Sequence, residues 1–297
     1  MTELSAIKEI PVFAAIDDNC AAAIAAAASR RGLAAGEVLF KEGSPGTDVF
    51  FVLSGAVAIE KSIAIDKFKT LAVLGGGEFF GEMAVLSDDT GPRSARAVAL
   101  ADSVLAGIQG EKLLEILHGS PKSGMAALRA MLQAVSGRLR KTSAELAMVY
   151  DISALAFAEF EDEKAFAARL LNEAMPYLEG GWSAGFYIYD RFNEELSVSA
   201  LTGENFTPPR DLAQIRDNIP NFWHGDRAYT VILPGKKRPD GFMVFAAPGP
   251  LPEQDRRALA VALSTLGCLA NSMLDNIRYN RENKMRDMLM RRKYQRG

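Results

Sequence analysis

The stretch Phe79 to Ala97, FFGEMAVLSDDTGPRSARA, brings together residue types that can hold a phosphate ester. Gly81 lets the backbone approach a ligand with no Cβ in the way. The amides of Met83 and Ala84 then point outward at the N-terminus of a short helix-forming stretch, where anions are favoured. Arg93 supplies the countercharge: its planar fork gives two parallel hydrogen bonds to phosphate oxygens, and the Ser94 hydroxyl and Ala95 amide add further donors. Glu82 has a different task. An ionised carboxylate only accepts hydrogen bonds, so beside an anion it serves hydroxyls such as a ribose 2′-OH. The candidate ligand-binding set is therefore Phe80, Gly81, Glu82, Met83, Ala84, Arg93, Ser94 and Ala95. The competing structural reading is that Glu82 and Arg93 pair with each other in a fold that holds no ligand. Asp88 and Asp89 place negative charge near the anion site and lower the affinity expected of it. Arg96, alternating with Ala95, faces away from the ligand and is given no role.

Other chemistries find less support. Gly181-Trp182-Ser183-Ala184-Gly185 is a literal GxSxG followed by Asp190, Asp211, Asp217 and His224 in hydrolase order. A nucleophile elbow needs strand, sharp turn and helix, whereas here a helix precedes Ser183 and an aromatic strand follows it, so no enzyme is expected. His118 and His224 are the two histidines, neither near another ligand type in sequence, and no metal is expected. Cys20 and Cys268 lie far apart outside any CxxC pattern, which fits a reducing cytoplasm. With 48% apolar residues, 24% charged residues and a formal net charge of −3, the chain has no bulk affinity for nucleic acid or anionic membrane. No apolar run is read as approaching the roughly 20 residues that cross a bilayer.

The elements that must position the phosphate residues are short β-type runs punctuated by glycine: Val38–Phe40, Val49–Leu53, Ala56–Glu60, Thr70–Leu74, Ala95–Leu100 and Ser103–Ile108. Close-spaced strands of this kind imply an antiparallel roll. After Pro121 the pattern turns helical, with Leu128, Leu132, Val135, Leu139, Thr142, Leu146 and Val149 in a heptad seam read as a dimer interface. A face turned to its own domain would show the same stripe. From Ile152 a helical pattern runs through Leu178. The strands Ala184–Tyr189, Leu196–Leu201, Ala228–Leu233 and Phe242–Ala247 follow, then a long helix opening after Pro252-Glu253. That helix carries Leu259, Leu263, Leu266, Ala270, Met273 and Ile277 at coiled-coil spacing, a candidate second seam. The aromatic group Trp182, Phe186, Tyr187, Tyr189, Phe222 and Trp223 is read as core before pocket. Beyond Ile277 the tail is strongly basic, read as a solvated helix end before a nucleic-acid or lipid arm.

The segment Phe79–Ala97 resembles the phosphate-binding cassette of cyclic-nucleotide-binding domains, the family of the bacterial catabolite activator and of the regulatory subunits of cyclic-nucleotide-dependent kinases. IPVFAAIDDNC, AAGEVLFKEGSPGTDVFFVLSGAVAIE and GGGEFFGE extend the likeness over Ile10 to Val149. The resemblance implies a cyclic nucleotide, cAMP or cGMP, with Gly81 and Glu82 on the ribose side and Arg93 and Ser94 on the phosphate side. It also implies that the helix after the roll closes the pocket, where Thr142-Ser143 offers hydroxyls to a base. The loop SDDTG is about two residues longer than that pattern. Residues from Tyr150 to Ile277, through AGFYIYDRFNEELSVSALTG and DGFMVFAAPGPLPEQDRRALAVALSTLGCLANSML, resemble a GAF domain.

The expected architecture is α+β: a jelly-roll-like β-roll over 1–120, a helical linker over 121–150, a GAF-like antiparallel sheet with helices over 151–277 and a basic tail over 278–297. The expected function is a cytoplasmic, homodimeric signalling protein that binds a cyclic nucleotide and relays the binding through the helical seam to the GAF-like domain, with a downstream signalling enzyme as partner and neither nucleic acid nor membrane. The alternatives are a transcription regulator and a ligand-free dimer module anchoring a signalling enzyme.

Overall fold

The computed structural model describes residues 3–64, 67–83, 92–178, 180–190, 193, 195–203, 209 and 212–294. The chain divides into two compact units, Met1–Arg140 and Lys141–Gly297.

The first unit opens with helices α1 (Glu3–Lys8) and α2 (Asp18–Ala27). Eight strands follow: β1 (Ser29–Leu33), β2 (Val38–Phe40), β3 (Asp48–Ser54), β4 (Ala56–Ala64), β5 (Lys67–Gly75), β6 (Phe79–Phe80), β7 (Arg96–Ala99) and β8 (Ser103–Gln109). Helices α3 (Gly110–Gly119) and α4 (Pro121–Ala154) come next. The strands form two antiparallel four-stranded sheets, ordered β1-β8-β3-β6 and β2-β7-β4-β5, as the glycine-punctuated runs predict. Strand β3 shows why both layers hold. Its side chains alternate, Phe50 and Val52 entering the core between the sheets while Val49 and Phe51 enter the core beneath the helices. Burying one such phenylalanine contributes roughly 1.5–3 kcal/mol. Ala127 and Met131 seat the first part of α4 in that helical core. Asp17 caps α2 by accepting from the Cys20 amide at 2.9 Å and takes a second hydrogen bond from the Ser123 hydroxyl in the first turn of α4.

The short strands β1 and β6 are absent from the sequence reading. In β1, Ser29, Arg30, Arg31 and Gly32 are all exposed and only Leu33 is buried, so no alternation announces the strand. The two-residue β6 is below the length at which periodicity exists.

In the second unit, the end of α4 is joined by α5 (Glu163–Ala174) and a five-stranded antiparallel sheet. Its strands are β9 (Ser183–Asp190), β10 (Glu195–Thr202), β11 (Phe222–His224), β12 (Ala228–Leu233) and β13 (Gly241–Ala246), ordered β10-β9-β13-β12-β11. Helix α6 (Glu253–Tyr294) starts where Pro252 and an acidic first turn predict. One sheet face, with Phe186, Val231 and Phe245, packs on the helices. Tyr187, Ile232, Phe242 and Val244 on the other face gather under Leu212.

This packing corrects two expectations. Leu263, Leu266, Ala270 and Met273 are buried in their own unit's core, with Leu259 and Ile277 packed against it, so the stripe on α6 is not a second dimer seam. A helix lying on a sheet and a coiled-coil helix both need apolar residues every three to four positions. By length and composition alone α6 also qualifies as long and apolar enough to cross a membrane over Asp255–Met288, contrary to the sequence expectation; 33% of its apolar stretch is buried. The aromatic group is largely core: Trp182, Phe186, Tyr187 and Tyr189 are all buried. Ser183 of the GxSxG match is 7% exposed at the start of β9, opposite Ala246, and His224 Nε2 lies 2.8 Å from Thr230 Oγ1. Both cysteines are free thiols.

Tyr187 is 4% exposed and its hydroxyl has no hydrogen-bond partner among the described residues, and burial pushes its pKa up to about 12. Leaving such a group unmet costs about 1–3 kcal/mol. Tyr187→Phe is therefore expected to raise stability by about 1 kcal/mol, read as a higher urea midpoint at unchanged m-value.

Candidate functional site

A cavity of about 250 Å³ opens in the first unit beside the β-roll. Its lining includes Phe80, Gly81, Glu82 and Met83 from the end of β6, Pro92 to Ala95 from the approach to β7, Phe40 of β2, and Arg138 of α4. Seven of the eight predicted residues thus meet around one space; Ala84 lies outside the described residues, as do Asp88, Asp89 and the rest of the SDDTG loop.

Arg93 dominates the site. Its backbone is fixed to the loop after β2: its amide donates to Ser44 O and its carbonyl accepts from the Gly43 amide, both at 2.8 Å. Its guanidinium carbon sits 4.4 Å from the centroid of the Phe40 ring and 5.7 Å from that of Phe50. Two glycines make room for it. A Cβ at Gly46 would stand 2.5 Å from Arg93 Nε, and one at Gly81 would stand 2.8 Å from Nη1 and 2.7 Å from Asp48 O, at a φ of +80°. Only glycine combines that backbone conformation with that approach. The residue is 9% exposed, and its Nε is buried without a hydrogen-bond partner among the described residues. Burial lowers the guanidinium pKa, and the Asp48 carboxylate partly offsets this by favouring the charged form. The arrangement is a largely desolvated cation in the wall of a cavity, which suits a compact anion.

Glu82 pairs elsewhere than the ligand-free reading supposes. Its Oε1 lies 4.0 Å from Arg138 Nη1, while Arg138 Nη2 donates to Phe79 O at 2.6 Å and its guanidinium lies 4.7 Å from the Phe79 ring centroid. Arg138 thus ties α4 to the cavity rim; Thr142 and Ser143, whose hydroxyls the resemblance offers to a base, are not among the lining residues. The signal was one helical turn away, since Arg138 precedes Thr142 by four positions on the same face. Arg96 is held away from the cavity: its guanidinium grips Glu60 Oε2 at 2.6 and 2.7 Å across the β4–β7 pair and lies over Phe68.

The geometry is that of a cavity walled by a buried guanidinium in an antiparallel β-roll, and residues 30–120 match the family model described as the cyclic nucleotide-binding domain. The N-terminal region carries that domain. The chain is 34% identical to the cyclic AMP receptor protein of Thermus thermophilus over 149 residues, 49% of this chain and 62% of that protein. It is 29% identical to a cyclic nucleotide-gated potassium channel of Mesorhizobium japonicum over 116 residues, 39% of this chain and 30% of the channel. Among solved structures, the N-terminal domain of a transcriptional regulator from Streptomyces coelicolor matches with 36% identity and a TM-score of 0.38, covering 46% of this chain and 94% of that domain. The match spans less than two thirds of the length of these curated relatives.

Proposed function

We propose that the protein is a regulator that binds a cyclic nucleotide monophosphate in the cavity of its first unit. The observation that carries this reading is the buried Arg93 guanidinium, seated between Gly46 and Gly81 with an unmet Nε. In the complex, Arg93, the Ser94 hydroxyl and the Ala95 amide take the phosphate, the Met83 and Ala84 amides approach it past Gly81, and Glu82 accepts from the ribose hydroxyl. Phe80 packs beneath. The name of the Thermus relative, a cyclic AMP receptor protein, favours cAMP as the first ligand to test.

The output runs through α4. That 34-residue helix is unbroken, carries Arg138 at the cavity, and is anchored by Ala127 and Met131 in one core and by Met148 and Ile152 in the other. Two copies associate along the exposed face of α4, and the second unit serves as a GAF-like regulatory domain. Its five-stranded antiparallel sheet with helices on one face supports that reading. A protein of this kind works in the cytoplasm, handing its state to a partner enzyme or to transcription. Titration calorimetry of cAMP and of cGMP into the full chain tests the reading: a saturable heat near one nucleotide per chain is expected, and no heat from either nucleotide would end it.

A further inference from the structure

Behind the phosphate side of the cavity, on the solvent side of the roll, Lys61 of β4 holds the chain that carries Ser94 and Ala95. Its Nζ donates to Ser94 O at 2.9 Å and pairs with Glu42 Oε1 at 2.7 Å. The other Glu42 oxygen accepts from the Ser62 amide at 2.9 Å, so the lysine is itself held in place. Its neighbours Lys61 and Ser62 hold the Glu42 carboxyl below its ordinary pKa. Lys61 is 48% exposed, whereas Ala95 is 6% exposed and lines the cavity.

The carbonyl that Lys61 grips and the Ala95 N–H belong to one peptide group. The chain has no cis peptide bonds among its described residues, and in a planar trans peptide the C=O and N–H point in opposite directions. A cation holding the carbonyl from outside therefore turns the N–H inward. It also polarises the amide, which makes the N–H a stronger donor.

We propose that Lys61, braced by Glu42, is a positioning residue that aims the Ala95 amide at the ligand phosphate from outside the cavity. This rests on the cyclic-nucleotide reading above. The lysine touches no ligand; it acts on the donor that does.

The test follows the Ala95 amide in ¹H–¹⁵N spectra of the full chain as cAMP is added, in wild type, Lys61→Met and Lys61→Arg. In wild type the resonance moves downfield on saturation. In Lys61→Met, which keeps most of the apolar stem, that shift shrinks and the Kd rises roughly three- to tenfold, the size of one net hydrogen bond. Lys61→Arg restores most of both. A purely structural lysine would alter the unfolding midpoint and leave the Ala95 shift at saturation unchanged. The proposal is overturned if the Ala95 amide of wild type does not move when cAMP binds, a result that needs no variant to fold, or if Lys61→Met binds with wild-type affinity and shift. Failure of wild type to bind cAMP at all would instead strike the ligand assignment beneath it.

Discussion

Arg93→Ala is expected to weaken cAMP binding by about 3 kcal/mol, roughly a hundredfold in Kd, with little change in the stability of the unliganded chain. The two effects separate because the side chain is buried for the ligand's sake. Among the described residues its Nε has no hydrogen-bond partner and burial works against its charge, a cost offset by stacking on Phe40 and Phe50 and by the Asp48 field. Removing it loses that stacking and relieves that cost, for a net change within about 1 kcal/mol. Arg93→Lys is informative beside it. A lysine keeps the charge but cannot give parallel bonds from a planar fork, so it should recover part of the affinity. Calorimetry with thermal unfolding on the same samples reads both quantities. Equal affinity in wild type and Arg93→Ala would remove the arginine from the site.

A second large effect is expected in the state of association. Met125, Leu132, Leu139 and Leu146 are 70%, 57%, 65% and 69% exposed, seven residues apart on α4, while Leu128 and Val135 pack against the core of the first unit. The seam read from sequence is thus two stripes, one turned inward and one outward. An outward row repeating every seven residues is the pattern that a second helix covers by knobs-into-holes packing. Full-length wild type should sediment at about twice its 32.1 kDa chain mass, and Leu132→Glu with Leu139→Glu should sediment as the monomer. The double variant removes four interfacial leucines, two from each copy, and at about 2 kcal/mol each these account for a shift in the dimer constant of roughly a millionfold. A variant that remains dimeric would place the interface elsewhere.

The roll was legible because its strands alternate and its turns carry glycine, and the residues that line the cavity were legible because they are concentrated in one segment. Elements whose signal is distributed were harder. Strand β1 is polar along most of its length and is held by its antiparallel pairing with β8, a partner more than seventy residues away in sequence. Arg138 reaches the cavity from α4 and donates to Phe79 O, a contact between elements far apart in sequence that no local pattern encodes. The stripe on α6 was visible but its partner was not: Leu263 and Leu266 face a sheet of their own unit, and their spacing would be the same against a second chain. Lys61 shows the same limit on a smaller scale, since its grip on Ser94 O depends on β4 and the approach to β7 lying side by side.

The central claim, that an anion meets the buried guanidinium, is tested most directly by the Arg93 Nε–Hε resonance during a titration with cAMP. The account predicts that this signal moves downfield and saturates with the same Kd as the calorimetric heat, as an unmet donor gains a phosphate acceptor. A saturable heat accompanied by an unmoved Arg93 signal would contradict it and send the nucleotide to another site.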